Sequence, residues 1–293
     1  MARMGEDEEA QDDAGAREGV RTRLGRDFAL RLASGVAMGL LTAVCILSGV
    51  LPFAVLVVVV TMLLSWEWGR LVHGRQADLV IAVHIGAAGV AAVLAAAGFV
   101  GLGLLALSIG AILALLLSLG ANSLFSALGV FYAGLPAVAL IWLRSDANLG
   151  LTAVTYLIVV VIVSDTAGFL AGRLMGGPKL WPRVSPNKTW AGFVGALVAS
   201  SIAGALFTFA IAHGSVLRLA TAGALLSMVA QAGDLAESAI KRRFGAKDAG
   251  TLIPGHGGVM DRVDGLVAAA TAVGLASFVI DVHSPARALL LGS

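Results

Sequence analysis

Long apolar stretches, separated by short polar segments, run through almost the whole of this sequence. Nine of them approach the roughly 20 residues that a helix needs to cross the hydrocarbon core of a bilayer. They cover residues 29–47, 50–66, 79–97, 99–119, 123–143, 150–172, 190–212, 217–240 and 262–281. A helix satisfies its backbone hydrogen bonds within its own segment, which lipid requires. The sequence therefore predicts an all-α integral membrane protein with about nine transmembrane helices.

The scarcity of charge excludes a water-soluble domain. Hydrophobic residues make up 58% of the chain and charged residues only 13%, whereas soluble domains carry about 25% charged residues. The single cysteine, Cys45, lies inside an apolar stretch and matches neither a disulfide framework nor a zinc-binding spacing.

The first 28 residues differ from the rest of the chain. An acidic run is followed by a basic one, and the segment lacks an apolar face, which is typical of disorder. No apolar core of a signal peptide lies close to the N-terminus. We expect a disordered charged cytoplasmic tail at 1–28, N-terminal transmembrane helices at 29–122 and a C-terminal transmembrane catalytic region at 123–293.

The distribution of Lys and Arg orients the predicted spans. With the N-terminus in the cytoplasm, every Lys and Arg except Arg144, Arg218 and Arg287 falls on the cytoplasmic side. Positive charge is concentrated on that side in membrane proteins. The slight basic excess is therefore interpreted as topology, and no nucleic-acid partner is expected. Nine spans place the C-terminus outside.

Acidic residues gather at the predicted cytoplasmic ends of three spans. They are Asp165 in the sixth, Asp234 and Glu237 in the eighth, and Asp261 and Asp264 in the ninth. Charge within spans is costly and indicates function. Residues three or four apart share one face of a helix, so two helices can direct carboxylates to a common point. Oxygen ligands of this kind suit Mg²⁺; the alternative is an ion-pair network with nearby Lys and Arg.

Two polar loops lie at the same predicted interface. The loop 241–261 carries four basic residues and then a glycine-rich turn, whose backbone N–H groups could hold phosphate oxygens. The loop 173–189 carries four more basic residues, and Thr189 is predicted to cap the following helix. Glu67, at the end of the second span, is interpreted as a partner of Arg70. Carboxylates for a metal beside bases for phosphates favour phosphoryl or nucleotidyl transfer to a lipid head group.

The segment 238–264 resembles the signature of the phosphatidate cytidylyltransferases, or CDP-diacylglycerol synthases. It has a serine, a Lys-Arg pair, Lys-Asp, His-Gly-Gly and finally Asp-Arg-Val-Asp, at the expected spacing. The segments 165–166, 172–173, 185–190 and 231–238 are also similar to that family. The resemblance extends from about residue 130 to 282, while the earlier spans are only generically similar.

The resemblance implies a Mg²⁺-dependent enzyme of phospholipid biosynthesis. Such an enzyme makes CDP-diacylglycerol and pyrophosphate from CTP and phosphatidic acid, in a bacterial-type inner or plasma membrane with the site facing the cytoplasm. The family is all-helical and often dimeric, so a homodimer is a further expectation. A second cation, which could be monovalent, is left open.

Roles are assigned to matching residues on the same basis. The expected metal ligands are Asp234, Asp261 and Asp264, which are also catalytic together with Lys241. The expected substrate-binding residues are Ser238, Arg242, Lys247, Asp248, His256, Gly257, Gly258, Arg262, Asp165, Arg173, Ser185, Lys188 and Thr189. Ser238 could instead be a helix-packing residue, and His256 could simply belong to the turn.

Three other functions compete with this interpretation. Another CTP-using lipid enzyme or a lipid kinase could have the same polar residues. The pocket for the lipid acceptor would be formed by apolar spans, and their sequence does not identify which lipid binds. A transporter would need polar groups near the midplane or on both sides. A non-catalytic scaffold leaves the acidic residues unexplained.

Overall fold

The computed structural model describes residues 33–74, 78–120, 122–211, 214–250, 252 and 257–292, and these are almost entirely helical. The long elements are α1 (Ala33–Leu47), α2 (Val50–His73), α3 (Leu79–Ala96), α4 (Val100–Leu117), α5 (Ser123–Arg144), α6 (Gly150–Met175), α7 (Trp190–Leu206), α8 (Val216–Arg243) and α9 (Met260–Ile280). The short elements are β1 (Lys179–Trp181), β2 (Ser185–Thr189), a 3₁₀ turn (Phe207–Ala210) and α10 (Pro285–Leu290). The predicted all-α membrane fold is confirmed.

Eight helices in the described part of the chain, α2 to α9, are long and apolar enough to cross a membrane. They correspond to the second through ninth predicted spans. The first predicted span, 29–47, is represented by α1, which is shorter than the other eight over its described residues. The predicted tail at 1–28 lies outside the described residues.

Helix α4 illustrates how these helices meet lipid. Its exposed side chains include Leu105, Ile109 and Ile112, which follow one another at helical spacing. Its buried positions include Gly103 and Gly110, which lie against α3. Bulky residues thus face outward while small residues let helix backbones approach, as expected for packing in a bilayer.

Two groups of helices are joined by α9. Helices α2 to α5 pack on one another, α7 packs between α6 and α8, and α9 contacts both α8 and α5. Hydrogen bonds between helices hold the second group together: the Tyr156 hydroxyl donates to the Leu219 carbonyl at 2.7 Å, and the Ser164 and Ser227 hydroxyls lie 2.7 Å apart. Helix α9 therefore contacts both groups of helices, and its first turn lies in the candidate active site described below.

Helix α2 is longer than predicted, since the expected loop at 67–78 begins only after His73. The extra two turns are buried against α5: the Trp68 indole N–H donates to the Phe125 carbonyl at 2.9 Å. Gly129 of α5 leaves room for that indole, because a Cβ at this position would collide with it. Gly74 ends the helix in the left-handed region, with φ of 65°. The extension places Glu67 within α2, where its side chain is buried.

A small hairpin occupies the predicted loop 173–189. Helix α6 continues to Met175, and β1 then pairs antiparallel with β2, with Lys179 opposite Thr189. The Thr189 hydroxyl accepts the Gly192 N–H at 3.1 Å. The prediction that Thr189 caps α7 is therefore confirmed, and the hairpin is anchored to the start of that helix.

Helices α6 and α7 approach closely through glycine. A Cβ on Gly192 would lie 2.6 Å from the Gly168 carbonyl oxygen, which is backbone and cannot turn aside. We expect Gly192→Ala to push α7 away from α6 and to destabilise the protein by about 1–3 kcal/mol. Thermal unfolding in detergent measures this loss.

Gly101→Ala is the matched control, since a Cβ there meets nothing within 4 Å. Alanine favours helix over glycine by about 1 kcal/mol, so this variant is expected to be neutral or slightly more stable. Equal unfolding midpoints for Gly192→Ala and the parent would contradict the close-packing argument.

Candidate active site

Three carboxylates converge where α8 and α9 meet. Asp234 and Glu237 come from α8 and Asp264 from α9, and one oxygen of each lies within 4.8 Å of the others. The spacing of three in α8 places its two acids on one face of the helix. We call Asp234, Glu237 and Asp264 the acid cluster.

Lys241 supplies positive charge beside the acid cluster. Its ammonium lies 2.7 Å from Glu237 Oε2 and 2.6 Å from Asp261 Oδ1. Lys241 is one turn beyond Glu237 on α8, while Asp261 is in the first turn of α9. Lys241 therefore ties the end of one helix to the beginning of the other.

Asp261 is placed differently from the expected metal ligand. Its Oδ1 contacts Lys241, and its Oδ2 accepts the backbone N–H groups of Ala249 at 3.0 Å and Gly258 at 2.9 Å. Gly257, with φ of 85°, lies next to the same carboxylate. Asp261 thus organises the loop between α8 and α9, whereas Glu237, which the sequence analysis did not assign to the metal, lies in the acid cluster.

The acid cluster fits a hard divalent cation. Three carboxylates so close together repel one another unless a positive charge lies between them. Glu237 is 1% exposed, and among the described residues no donor reaches its Oε1. Oxygen ligands alone are what Mg²⁺ prefers. The donor set and the unpaired buried oxygen both match such an ion.

A cavity of about 540 Å³ opens beside the acid cluster. Helices α6, α7 and α8 and the hairpin surround it. Six of the predicted site residues line it, namely Asp165, Arg173, Ser185, Lys188, Thr189 and Asp234. Lys179, Asn187 and Gln231 line it too and were not among the candidates. Asp234 belongs to both the cavity and the acid cluster, so the two are continuous.

Lys188 connects the hairpin to the acid cluster. Its ammonium forms an ion pair with Asp234 Oδ2. The Ser238 hydroxyl lies 3.4 Å from Asp234 Oδ1, one turn along α8. Asp234 is consequently contacted from its own helix and from the hairpin.

Four other predicted residues do not line the cavity. Arg242 is exposed and donates to the Ala246 carbonyl at 3.0 Å. Lys247 and Asp248 are exposed in the loop after α8, and Arg262 is exposed in the first turn of α9. His256 lies outside the described residues. The structure therefore brings carboxylates together with three bases of the 173–189 segment at the cavity. Of the bases predicted in the 241–261 loop, Lys241 lies beside the acid cluster, whereas Arg242 and Lys247 are exposed.

Glu67 reaches the site from the N-terminal group of helices. Its carboxylate accepts the N–H groups of Val259 at 2.9 Å and Met260 at 2.7 Å, at the start of α9. Arg70, its expected partner, has its guanidinium 4.7 Å from the centre of the Trp66 ring. Sequence spacing held no signal for this contact, because 192 residues separate Glu67 from Val259.

Residues 29–279 match the model of the cytidylyltransferase family. A phosphatidate cytidylyltransferase of Brucella suis is 52% identical over 144 residues, and one of Staphylococcus haemolyticus is 41% identical over 144 residues. These alignments cover 49% of this chain and 53% and 54% of the two relatives. The match thus spans about half the length of the curated relatives.

Proposed function

The chain belongs to the cytidylyltransferase family, and we propose that it is a phosphatidate cytidylyltransferase. It joins CTP to phosphatidic acid and forms CDP-diacylglycerol and pyrophosphate. The names of its relatives support this substrate pair. The bilayer supplies the lipid, since eight helices of the described chain can span it.

One observation supports the proposal most directly: Asp234 belongs both to a set of carboxylates close enough together to hold a cation and to a cavity lined with bases. Nucleotidyl transfer between two anions needs charge neutralisation and alignment more than covalent chemistry. A phosphate bound by the cavity's bases would lie next to the acid cluster. That arrangement suits attack of one phosphate on another.

In the proposed reaction a phosphate oxygen of phosphatidic acid attacks the α-phosphorus of CTP. The bond from that phosphorus to the bridging oxygen of the β-phosphate breaks in line, and pyrophosphate leaves with the electron pair. The lipid phosphate is already anionic, so the step needs no nucleophilic side chain. Positioning and electrostatic stabilisation by the protein provide the catalysis.

The cavity residues bind and orient the phosphates. Arg173 and Lys188 are suited to the lipid phosphate, because both line the cavity, Arg173 from the last turn of α6 and Lys188 from β2. Thr189, which caps α7, also lines the cavity, so the positive end of that helix dipole lies beside the same space and favours anions. Lys241 keeps Glu237 and Asp261 in place and offers positive charge near the leaving group. Arg242, Lys247 and Arg262 at the rim attract CTP.

Asp234, Glu237 and Asp264 would hold Mg²⁺, which neutralises triphosphate charge and polarises the α-phosphorus when bound. The distribution of Lys and Arg supports a site on the cytoplasmic side, where CTP is made.

The test is cytidylyl transfer by the purified chain in detergent, with α-labelled CTP, phosphatidic acid and Mg²⁺. We expect labelled CDP-lipid, equimolar pyrophosphate, and loss of both on chelation of the divalent ion. Phosphatidic acid is compared with other lipid phosphates and with a lipid alcohol. Transfer of label only to another lipid phosphate would replace the acceptor. A parallel reaction with γ-labelled CTP tests the kinase alternative, which label on the lipid alcohol would identify.

A further inference from the structure

Glu67 is a buried carboxylate that connects the group of helices α2 to α5 with the beginning of α9. It lies on α2, is 1% exposed, and accepts two backbone N–H groups at the beginning of α9. The first N–H groups of a helix have no partner within the helix. A carboxylate is well suited to them, because the N-terminus of a helix carries partial positive charge.

Two glycines of the segment before α9, both among the described residues, lie close to the same carboxylate. A Cβ on Gly250 would lie 2.6 Å from Glu67 Oε1, and a Cβ on Gly258 would lie 2.6 Å from the same oxygen. Asp261 binds the same places in the chain, since its Oδ2 accepts the N–H groups of Gly258 and of Ala249, the residue before Gly250. Glu67 and Asp261 therefore both contact the described residues on either side of the turn before α9.

The position of α9 decides whether Asp264 faces Asp234 and Glu237. We propose that Glu67 is a positioning residue, which sets the start of α9 so that Asp264 completes the acid cluster and Asp261 meets Lys241. The inference rests on the proposed function for its kinetic consequence. It also gives α2, which lies within the residues that match the family model but was not assigned to the site from the sequence, a defined part in catalysis.

Glu67→Gln is the primary variant, because it keeps the shape but replaces one acceptor oxygen with an NH₂ group that faces a backbone donor. We expect kcat to fall by roughly 10- to 100-fold, as for other residues that orient metal-binding groups. KM for phosphatidic acid should change little, since α6, α7 and the hairpin surround the cavity. Glu67→Asp, which retains the charge, should recover part of kcat.

Hydrogen–deuterium exchange provides a readout that does not depend on activity. In Glu67→Gln the peptide spanning 258–264 should exchange faster, because the N–H groups of Val259 and Met260 lose an acceptor. Asp146→Asn is the matched control. Asp146 Oδ1 likewise accepts two N–H groups just before a helix, those of Asn148 and Leu149, but at the opposite end of α6 from Asp165. It should leave kcat and exchange of 258–264 unchanged.

Faster exchange at 258–264 with a kcat defect that Glu67→Asp partly reverses would support the inference. A parent-like kcat in Glu67→Gln would overturn the inference. So would faster exchange in all helices alike, together with a Glu67→Asp variant whose kcat is as low as that of Glu67→Gln. A folded parent that transfers no cytidylyl group would refute the proposed function, whereas the exchange data would still decide whether Glu67 places α9.

Discussion

Asp264→Asn is expected to lower the rate of cytidylyl transfer by roughly a thousandfold or more, the scale of losing several kcal/mol of metal-assisted transition-state stabilisation. Asp264 is the residue that α9 contributes to the acid cluster, with an oxygen within 4.8 Å of those of Asp234 and Glu237. Asparagine keeps the shape but removes the charge. The measurement is the initial rate with α-labelled CTP across a range of Mg²⁺ concentrations.

The same substitution should leave the fold intact. Without a cation, three crowded carboxylates repel one another, so removing one charge is expected to preserve or raise the unfolding midpoint in chelator. Mg²⁺ should raise the midpoint of the parent, because a ligand that binds the folded state stabilises it. This shift should be much smaller in Asp264→Asn.

Asp281→Asn is the control for charge on the same helix. Asp281 follows α9 at its other end and accepts the N–H groups of His283 and Ser284. It should retain both the rate and the Mg²⁺-dependent shift. A parent-like rate in Asp264→Asn would remove the acid cluster from the mechanism, even though the family assignment would stand.

Lys241→Met is expected to be the most destabilising single change at the site. Lys241 is buried and pairs with Glu237 Oε2 at 2.7 Å and Asp261 Oδ1 at 2.6 Å. Breaking a buried ion pair leaves an uncompensated charge and costs about 3–5 kcal/mol. Methionine keeps the unbranched shape and most of the length of the lysine side chain, so lost charge dominates over lost volume. Unfolding in detergent without Mg²⁺ gives the stability, and the transfer assay should show little activity.

A second substitution separates charge from packing. If the loss of stability in Lys241→Met comes from leaving the Glu237 carboxylate without its positive partner, adding Glu237→Gln should restore part of the stability. A double-mutant cycle measures this effect as a coupling energy. Arg183→Gln removes an exposed positive charge from the hairpin turn and should change stability by no more than about 0.5 kcal/mol. A Lys241→Met protein as stable as the parent would contradict the bridging role.

Much of this protein could be predicted from local sequence. Spans of about 20 apolar residues located α2 to α9, because the bilayer imposes that length on any helix that crosses it. The capping of α7 by Thr189 could also be predicted locally, because a helix cap depends on only a few neighbouring residues. Clustering of acids from α8 and α9 followed from helical spacing and a common depth.

Other features depended on contacts between distant segments. The final turns of α2 were missed because burial of Trp68 against α5 extends that helix beyond the apolar stretch. The sequence favoured Asp261 over Glu237 as a metal ligand, since the rotation of α8 against α9 cannot be obtained from either helix alone. In the structure that rotation directs Glu237 into the acid cluster and Asp261 toward Lys241 and the loop.

Glu67 shows the difference between features that neighbouring residues determine and features that tertiary packing determines. Apolar length, charge distribution and spacing are properties of neighbouring residues, and they were enough to define a multi-pass membrane enzyme fold with acids and bases at one interface. The partner of a buried carboxylate depends on which helices pack together, and packing in lipid is set by close contacts along the whole length of each helix. The structure therefore paired Glu67 with the start of α9, across 192 residues that no local pattern connects.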